Sequence, residues 1–460
     1  MAFLDDRRYF VLGLGISGRA VARLLAADGR EVVAYDENEA AVAGFAAELP
    51  ADIEGLSVVH PGRKVDAVEL LSSCDRMVLS PGVPLDHPLV VAARGDGIPV
   101  DGEIEAAFHF TRAGIAAVTG TNGKSTTVGI IGNILESAGV RSVVAGNVGT
   151  PFAGVVGGAD DFETIVLELS SFQLDTIDEF RADVAVLLNV TPDHLDRYRH
   201  SFDEYAVSKA RILNRAGDNT WFVYNDADTV CRSIADGFSG HKAAFSSFGR
   251  PQGTHACYLE GGTIRRHWGS SENEVLDASE FTPVGLHNLE NAMAAVGAAG
   301  AMGVSLDAIR DGLRSYRPLP HRMEPVRVVA GVTFINDSKA TNVDATVKSL
   351  MGIDGGAVLI LGGRDKEGDF SALVPHLGRV RLVILIGEAR GVIREALDGK
   401  CDLEDADDMA AAVNAAATHA ETGDTVLLAP ACSSFDMFDN YQHRGEVFRS
   451  CVNALAADPS

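Results

Sequence analysis

The sequence lacks the features that mark disulfide-linked, zinc-binding and membrane-spanning proteins. Its six cysteines include no Cys-x-x-Cys pair and no spacing typical of a zinc site. No apolar run is long enough to cross a bilayer, and the first residues, Met-Ala-Phe-Leu-Asp-Asp-Arg-Arg, are too charged for a signal peptide. We therefore expect free thiols in a reducing cytoplasm and no insertion into a membrane.

Positive charge is also scarce. Only 39 lysines and arginines stand against 64 aspartates and glutamates, which gives a formal net charge of −25. A surface this acidic disfavours non-specific binding to nucleic acid and to anionic membranes, so we expect no nucleic-acid partner. A polyanionic ligand would have to be held by local cations and backbone N–H groups.

What the sequence does contain is the composition of a globular protein and enough chain for several domains. Of its 460 residues, 46% are hydrophobic and 22% are charged. This length exceeds that of one compact core and predicts about two to three domains.

The strongest local signal is a glycine-rich loop between an apolar strand and a helix. The strand, Ile115 to Val118, leads into Gly-Thr-Asn-Gly-Lys-Ser-Thr. Such a loop turns backbone N–H groups toward one point and suits phosphate oxygens. Lys124 could reach terminal phosphates, and the Ser125 hydroxyl could bind magnesium, although Val118 replaces the first glycine of the full P-loop pattern. The predicted nucleotide-binding loop comprises Gly120, Thr121, Asn122, Gly123, Lys124, Ser125 and Thr126.

The N-terminal segment, residues 1–102, has a strand-loop-helix-strand pattern. The apolar strand Tyr9 to Leu12 leads into Gly13-Leu-Gly-Ile-Ser-Gly18, and a second strand, Glu31 to Tyr35, ends at Asp36. This pattern is the fingerprint of a dinucleotide-binding fold, in which the acidic residue binds a ribose. Two interpretations stay open: an NAD site, or a turn whose glycines serve packing alone.

Polar residues follow three other predicted strands. Ser80-Pro-Gly82 lies at the carboxyl end of a strand, where such sheets bind ligands, so Ser80 and Gly82 are candidate contacts. Glu168 ends the strand Thr164 to Leu167, and a carboxylate in this place beside a phosphate loop commonly directs magnesium. His194, in Thr191-Pro-Asp-His-Leu-Asp196, could bind a metal, bind a phosphate or transfer a proton.

Two predicted helices in the segment 103–317 carry further candidates. Asn288 and Asn291 are three residues apart and share one helix face, where they could bind a base edge or cap the helix. Lys209 lies on a predicted helix from Phe202 to Leu213, and the pattern alone indicates a solvated surface lysine. Residues 219–282 are predicted to form short strands with glycine turns and indicate no chemistry.

The C-terminal segment, residues 318–460, begins at Pro318-Leu-Pro320 and again alternates strands and helices. Each predicted strand is followed by a polar or glycine-containing loop, and in a parallel sheet such loops gather at one edge. The predicted strands are Val328 to Ile335, Ala357 to Leu361, Leu382 to Ile386 and Thr425 to Ala429. The loops carry Lys339, Thr341, Lys366 and Ser434, a set that is typical of an anion site.

In combination and in this order, the motifs resemble those of the Mur ligase family across all three segments. They are Gly-Thr-Asn-Gly-Lys-Ser (120–125), Glu-Leu-Ser-Ser-Phe-Gln (168–173), Asn-Val-Thr-Pro-Asp-His-Leu-Asp-Arg (189–197), Gly-Leu-His-Asn (285–288), His-Arg-Met-Glu (321–324), Asn-Asp-Ser-Lys-Ala-Thr-Asn (336–342) and Pro-Ala-Cys-Ser-Ser-Phe-Asp-Met-Phe (430–438). The resemblance implies an α/β protein of three domains. These are a Rossmann-like N-terminal domain (1–102), a central ATPase domain with the P-loop and a mainly parallel sheet (103–317), and a Rossmann-like C-terminal domain (318–460).

The resemblance also implies a reaction. The expected enzyme is an ATP-dependent amide ligase of peptidoglycan precursor synthesis, which acts on UDP-N-acetylmuramoyl-L-alanine and D-glutamate through an acyl phosphate. Carboxylate activation of this kind needs cations around the transferred phosphate, and the resemblance implies two magnesium ions. We expect the protein to be a monomer that works on these small-molecule substrates.

Individual residues receive roles from the resemblance. Lys124 matches the family's phosphate lysine, and Glu168 and His194 match its metal ligands. Lys209 matches a lysine that the family carries as a carbamate, an anion that could bind the second magnesium. Because a carbamate forms from a neutral amine, we expect Lys209 to be partly buried with a lowered pKa.

The remaining matches concern nucleotide and substrate. The glycine loop of the N-terminal segment would hold the UDP diphosphate through Ile16 and Ser17, although Glu37 and Asn38 replace a Thr-Arg pair that often contacts uracil. Asn147 matches another contact to the UDP substrate. The ATP contacts would be Asn288, Asn291, Arg322 and Asp337. The incoming amino acid would meet Thr341, Lys366, Ser434 and Phe435, whose lysine and hydroxyls suit the extra carboxylate of D-glutamate.

Three alternatives stay open at this point. Another Mur ligase could add L-alanine, a diamino acid or a dipeptide instead of D-glutamate. The glycine loop at Gly13 leaves an NAD-dependent oxidoreductase as a second hypothesis. A P-loop switch or regulatory ATPase is the third.

Overall fold

Three β-sheets follow one another along the chain, each covered by helices. A computed structural model describes residues 3–49, 54–60, 66–158, 162–283, 285–317, 320–353, 355–366 and 368–455. Of the predicted boundary Pro318-Leu-Pro320, the first two residues lie outside this description. No described helix is both long and apolar enough to cross a membrane.

The N-terminal sheet is entirely parallel, with the strand order β3-β2-β1-β4-β5. Its order reverses at β1, so the loop after this strand lies at the switch point where such sheets bind ligands. The elements are β1 (Arg8–Leu12), α1 (Ile16–Ala27), β2 (Glu31–Tyr35), α2 (Glu39–Glu48), β3 (Leu56–Val59), α3 (Ala67–Ser72), β4 (Arg76–Leu79), α4 (Pro88–Gly95), β5 (Val100–Gly102) and α5 (Glu103–Phe108).

The central sheet has nine strands in the order β14-β13-β12-β11-β10-β9-β6-β8-β7 and is parallel from β12 to β7. Its elements are β6 (Gly114–Thr119), α6 (Lys124–Ser137), β7 (Ser142–Gly146), β8 (Thr164–Glu168), α7 (Ser171–Leu174), β9 (Val184–Leu187), α8 (Phe202–Ala210), β10 (Trp221–Asn225), α9 (Thr229–Asp236), β11 (His241–Ser246), β12 (His255–Glu260), β13 (Thr263–Trp268), β14 (Ser271–Asp277), α10 (Leu286–Ala301) and α11 (Leu306–Ser315). The short strands predicted in 219–282 therefore extend this sheet and end it in an antiparallel hairpin.

The central strand β6 positions the glycine-rich loop. It pairs with β8 on one side and with β9 on the other. Because the carboxyl ends of parallel strands meet at one edge, the loop after β6, Glu168 at the end of β8 and the His194 loop after β9 converge there. The helix predicted to reach Leu213 is α-helical only to Ala210 and continues as a 3-10 turn, Arg211–Leu213.

The C-terminal sheet has the order β15-β16-β20-β17-β18-β19 and is parallel except for β15. Its elements are β15 (Glu324–Val329), β16 (Val332–Asn336), α12 (Val343–Met351), β17 (Ala357–Gly362), β18 (Val380–Ile386), α13 (Arg390–Leu397), β19 (Leu403–Asp405), α14 (Met409–His419), β20 (Thr425–Leu428) and α15 (Tyr441–Ala454). Strand β17 is buried at every position, as expected for a central parallel strand covered on both faces.

One predicted strand is wrong. The apolar run Val328 to Ile335 is a hairpin rather than a single strand, because the chain turns at Ala330 and Gly331, whose φ angles are 50° and 76°. Two consecutive positive φ angles are the geometry of the tight turns that connect antiparallel strands. The usual Asn-Gly or Asp-Gly signal is absent here, so the run looks continuous in the sequence.

The first turn of α1 is packed against the loop that precedes it. A Cβ added to Gly18 would lie 1.8 Å from the carbonyl oxygen of Gly13, far inside van der Waals contact. The main chains can approach this closely only with glycine at position 18. This requirement explains the last glycine of the N-terminal fingerprint by packing alone, whatever the loop binds.

Gly18→Ala should therefore destabilise the N-terminal sheet. We expect a loss of about 1–3 kcal/mol, the usual cost of forcing an extra carbon into a packed site, read as a lower midpoint of thermal unfolding. Gly95→Ala is the matched control, since a Cβ there meets nothing within 4 Å. Equal midpoints for the two variants would contradict this account of Gly18.

Candidate active site

The glycine-rich loop holds two lysines against one carbonyl oxygen. Lys124 Nζ donates to the carbonyl oxygens of Gly120 and Thr121, each at 2.8 Å. Lys209 Nζ donates to the same Gly120 oxygen, also at 2.8 Å. Helix α6 begins directly after the loop without a side-chain cap, so the N–H groups of its first turn remain open toward a ligand.

Lys209 is buried, as expected. Its side chain is only 1% exposed and its Nζ lies 4.6 Å from the centre of the Tyr205 ring. Burial, followed by the nearby positive charge of Lys124, holds the pKa of Lys209 well below its ordinary value. A lowered pKa favours the neutral amine, which is the form that could react with carbon dioxide.

Glu168 faces the loop from the end of β8. Its Oε1 accepts a hydrogen bond from Asn147 Nδ2 at 3.0 Å, whereas its buried Oε2 has no partner among the described residues. Burial alone would raise the pKa of Glu168, but Lys124, the Ser125 hydroxyl and the Asn147 amide together lower it. The residue is therefore an anion with one free oxygen. Asn147, expected at the UDP substrate, is seen here orienting Glu168.

His194 lies beside these groups on a strained backbone, with a φ of 54°. Its ring packs edge-on against Phe172, with centroids 5.1 Å apart. Burial lowers the pKa of His194 to about 4, although Asp193 opposes the shift. The imidazole is therefore neutral near pH 7 and able to offer a nitrogen lone pair to a metal.

The side chains at this site supply only some of the ligands that a magnesium ion needs. No group of three His, Cys, Asp or Glu side chains in the described ranges could hold a metal ion. The free oxygen of Glu168 and the hydroxyl of Ser125 are hard oxygen donors of the kind magnesium prefers. Magnesium usually takes few protein ligands and completes its shell with water and substrate phosphates, so the donor set is compatible with a nucleotide-bound ion.

A cavity lies beside the glycine-rich loop, between α10 and the C-terminal sheet. Asn288 and Asn291 share one face of α10, as predicted, and their side chains meet at 3.4 Å. A Cβ on Gly123 would lie 2.2 Å from Asn291 Oδ1, so this helix packs closely on the loop. The wall across the cavity is formed by Arg322 and Asp337.

Arg322 is placed by a strained turn. The residues on either side of it, His321 and Met323, have φ angles of 64° and 45°. Left-handed conformations of this kind are costly for residues other than glycine and persist where surrounding contacts enforce them. One such contact is made by Asp337, which accepts a hydrogen bond from the Met323 N–H at 3.2 Å and another from the Ser349 hydroxyl.

Residues from both sheets line one cavity of about 300 Å³. The C-terminal side brings Lys339 and Thr341 opposite Lys209 and Glu168. Lys339 Nζ lies 4.0 Å from the centre of the Tyr441 ring, and burial followed by the charge of Arg322 lowers its pKa to about 7. The central and C-terminal candidates therefore meet, as the sequence predicts.

Three predicted amino-acid contacts are placed differently. Lys366 Nζ forms an ion pair with Asp193 Oδ1 at 3.0 Å and lines a neighbouring cavity. Ser434 is buried and Phe435 is 64% exposed, and neither lines the cavity that contains Lys339. Their assignment to an amino acid stays a prediction.

A seam of polar contacts joins the central and C-terminal parts, and most of these contacts could not be expected from the sequence. Asp344 on α12 accepts hydrogen bonds from Asn122 Nδ2 at 2.6 Å and from the Thr191 hydroxyl at 3.2 Å. Asn342 Nδ2 donates to Asp193 Oδ2 at 2.9 Å. With Lys366, Asn342 holds the pKa of Asp193 at about 2 despite burial. The partners are about 150 to 220 residues apart, so only the fold brings them together.

The N-terminal loops form a separate group. Asp36 accepts a hydrogen bond from the Leu14 N–H at 2.6 Å, which holds the glycine loop in place. Ile16 is exposed beside Ser17 at the start of α1. Ser80 lies against Gly13 and Gly15 of the same loop, and a Cβ on Gly82 would meet nothing within 4 Å. Ile16 and Ser17, in the first turn of α1, and Ser80 and Gly82, after β4, therefore follow two adjacent strands of the sheet.

Arg197 connects this group to the central site. Its guanidinium donates to the carbonyl oxygens of Pro81 and Val83, at 3.3 Å and 2.9 Å, and lies over the Phe172 ring. The loop that carries His194 thus also holds the loop after β4. This side chain is therefore one of the contacts that hold the loop after β4 against the central site.

Three family models match successive parts of the chain. In order, the matching families are the Mur ligase MurD-like N-terminal domain over residues 7–102, the Mur ligase middle domain over 118–299, and the Mur ligase glutamate ligase domain over 321–432.

Full-length relatives are similar as well. A UDP-N-acetylmuramoylalanine–D-glutamate ligase from Acidobacterium capsulatum is 42% identical over 455 residues, which are 98% of this chain and 97% of its own. A protein of the same name from Salinibacter ruber is 40% identical and covers 97% of this chain and 98% of its own.

Solved structures share the fold at low identity. A pseudomurein peptide ligase type C from Methanothermus fervidus is 18% identical, with a TM-score of 0.63 over 98% of this chain and 100% of its own. A MurF ligase from Thermotoga maritima, solved in complex with ADP, is 17% identical, with a TM-score of 0.62 over 99% and 100%.

Asp344→Asn should loosen the seam. The carboxylate accepts two hydrogen bonds from the central part and pairs with Lys348, so an amide in its place should cost about 1–2 kcal/mol of the contact. We expect a larger radius of gyration for the ligand-free protein in small-angle X-ray scattering. Asp405→Asn, which removes an exposed pair with Arg394, is the control. Superimposable scattering curves for all three proteins would refute a role for Asp344 in holding the seam.

Proposed function

The chain belongs to the Mur ligase family, and on that premise we propose that it joins D-glutamate to UDP-N-acetylmuramoyl-L-alanine at the expense of ATP, in peptidoglycan precursor synthesis. The observation that carries the proposal is the cavity shared by the phosphate loop, Glu168, Lys209 and the C-terminal Lys339. An enzyme that bound only a nucleotide on the central sheet would not need Arg322 and Lys339 of the C-terminal part in the same cavity.

The three parts have separate roles in this proposal. Residues 1–102, a Rossmann-like domain, bind the UDP substrate through Ile16, Ser17, Ser80 and Gly82, with Asn147 from the next part. Residues 103–317, the P-loop domain, bind ATP with help from Arg322 and Asp337. Residues 318–460, Rossmann-like again, bind D-glutamate through Lys339, Thr341, Lys366, Ser434 and Phe435. The enzyme acts as a cytoplasmic monomer.

ATP is proposed to occupy the loop and the adjoining cavity. Its phosphates would accept hydrogen bonds from the loop N–H groups and from Lys124, which would exchange its two carbonyl acceptors for phosphate oxygens. The base would lie near Asn288 and Asn291 on α10. Arg322 adds a second positive charge between the two cavities, which it lines in common.

Ligation takes place in two steps. A carboxylate oxygen of the UDP-linked substrate attacks the γ-phosphorus, the bond to the β-phosphate oxygen breaks, and ADP leaves. The amine of D-glutamate then attacks the acyl carbon, loses a proton, and inorganic phosphate departs with the C–O bond electrons. Lys124, Arg322 and Lys339 surround the place where negative charge accumulates on the transferred phosphate.

Two magnesium positions are proposed, one at Ser125 and Glu168, the other at His194 and a carbamate on Lys209. Magnesium supplies charge neutralisation at the β- and γ-phosphates when it is bound. The buried oxygen of Glu168 without a partner supports the first position. The buried amine of Lys209, whose pKa is lowered, supports the second, because a neutral amine can bond to carbon dioxide, release a proton and become an anion.

The amino-acid dependence of phosphate release tests the function. Purified protein with ATP, magnesium and UDP-N-acetylmuramoyl-L-alanine should release phosphate on addition of D-glutamate and stay silent with L-alanine or lysine. Release only with L-alanine or lysine would assign the chain to another Mur ligase activity. Turnover that is equal without any amino acid would favour a regulatory ATPase.

Lys209→Ala should lower turnover by roughly 100-fold or more, since a metal-binding anion is lost from the site. Added acetate or formate should restore part of the rate by supplying a carboxylate. In protein equilibrated with ¹³C-labelled carbon dioxide, a carbamate resonance should be present in the wild type and absent in the variant.

Lys242→Ala is the control for Lys209. Lys242 Nζ also donates to a backbone carbonyl oxygen, at 3.0 Å, but at a distant edge of the central sheet. This variant should keep both the activity and the carbamate resonance. A resonance that survives in Lys209→Ala would remove Lys209 from the proposed metal site.

A further inference from the structure

Arg444 is the largest fully buried side chain among the described residues, with 0% exposure. It lies on α15 beneath the C-terminal sheet, outside every motif from which the site was predicted. Burial lowers its pKa to about 10, which leaves the guanidinium charged at neutral pH. A buried charge of this kind is costly unless it has a compensating role.

The guanidinium of Arg444 reaches three loops at once. Nε donates to the Ser338 hydroxyl at 3.0 Å and Nη2 to the Ser338 carbonyl oxygen at 2.9 Å, in the loop after β16. Both terminal nitrogens donate to the carbonyl oxygen of Cys432 at 3.1 Å, and Nη1 donates to Ser433 at 3.3 Å, in the loop after β20. Nη1 also reaches the carbonyl oxygen of Gly362, at the end of β17, at 3.5 Å.

These three loops carry the residues assigned to the incoming amino acid. Strands β16, β20 and β17 are neighbours in the parallel sheet, so their carboxyl ends lie side by side. The loop after β16 carries Lys339 and Thr341, the loop after β17 carries Lys366, and the loop after β20 carries Ser434. Arg444 is thus bonded to the base of every loop in the set.

No carboxylate accepts a hydrogen bond from Arg444 within the described part of the chain; its acceptors are carbonyl and hydroxyl oxygens. The positive charge is therefore not cancelled by a direct ion pair. Asp436 is close enough to influence it electrostatically, but one oxygen of Asp436 receives the Glu388 N–H at 2.9 Å and the other is buried without a partner. A field that favours anions remains at the base of the loops.

We infer that Arg444 is a positioning residue for the amino-acid subsite, which fixes the three loops relative to one another and adds a buried positive charge that favours an acidic amino acid. The inference rests on the proposed function, which assigns D-glutamate to these loops. Arg444 itself lies beneath the loops and contacts no substrate. Its effect passes through the positions of Lys339, Thr341 and Lys366.

Arginine suits this task better than lysine. Its planar guanidinium offers five N–H donors in fixed directions, which is what contacts with three separate loops require. Lysine carries the same charge on a single nitrogen and could not reach all three loops. Arg444→Lys keeps the positive charge but loses contacts with the loops, whereas Arg444→Met loses both. The two variants therefore separate the effect of the loop contacts from the effect of the charge.

Steady-state kinetics with each substrate varied in turn test the inference. For Arg444→Lys we expect the KM for D-glutamate to rise about 10-fold, and for Arg444→Met about 100-fold, because small displacements of binding groups have effects of this size. The KM for ATP should stay within about twofold of the wild type, and kcat at saturating D-glutamate should fall much less than kcat/KM.

Arg327→Met is the matched control. Arg327 Nη1 also donates to three carbonyl oxygens, those of Val452, Asn453 and Leu455, but at the far end of α15, so this variant should leave both KM values unchanged. Equal rises in the KM values for D-glutamate and ATP, or a fall in kcat alone, would overturn the positioning role. If Arg444→Met does not fold, the KM values of Arg444→Lys for D-glutamate and for ATP decide the question.

The wild-type protein separates this inference from the proposed function. Saturation of phosphate release by D-glutamate in the wild type establishes the function before the variants are compared. A wild type that ignores D-glutamate would defeat the proposed function itself. A wild type that uses D-glutamate, with Arg444 variants that show an unchanged KM for it, would defeat the inference alone.

Discussion

The positions of the two lysines in the site depend on the carbonyl oxygen of Gly120. It accepts hydrogen bonds from the Nζ atoms of both Lys124 and Lys209, each at 2.8 Å. Two buried ammonium groups so close together would repel each other strongly in a low-dielectric interior. Burial lowers the pKa of both lysines, and that of the more deeply buried Lys209 falls well below its usual range. A lowered pKa at Lys209 is what the proposed carbamate requires.

Much of this arrangement can be predicted from the sequence, because local patterns determine it. The glycine loop after β6 and Glu168 at the end of β8 are recognisable from strand ends alone, and parallel pairing brings them together. Lys209 is different. On its helix it looks like any surface lysine, and only the resemblance to a family gave it a role. Its burial results from packing against loops that are distant in the sequence, which no local pattern reports.

The parts that the sequence could not predict are contacts between distant segments. In the sequence Asp193 is only the neighbour of His194, yet it pairs with Lys366 and accepts a hydrogen bond from Asn342, both from the C-terminal part. Asp344 likewise holds Asn122 of the phosphate loop. These bonds connect the positions of the phosphate loop and the His194 loop to the position of the C-terminal sheet. A change in the angle between the two parts would therefore also change the geometry of the proposed nucleotide site. This coupling is the physical basis for expecting ATP and the amino acid to be bound in a coordinated way.

The charge of the whole chain and the charge of its site have opposite signs, and burial explains how both can hold. The net charge of −25 is summed over the whole chain, and water screens the part of it that lies on the surface. Lys339, which is partly buried in the cavity, and Arg444, which is fully buried beneath the C-terminal sheet, meet less water, so their fields are screened less. The same burial lowers the pKa of Lys339 to about 7, so part of its positive charge is absent when no anion is near. An arriving phosphate or carboxylate would raise that pKa again and draw a proton onto Lys339. The site therefore gains positive charge as its anionic ligands bind, which avoids the cost of holding every cation buried and unpaired beforehand.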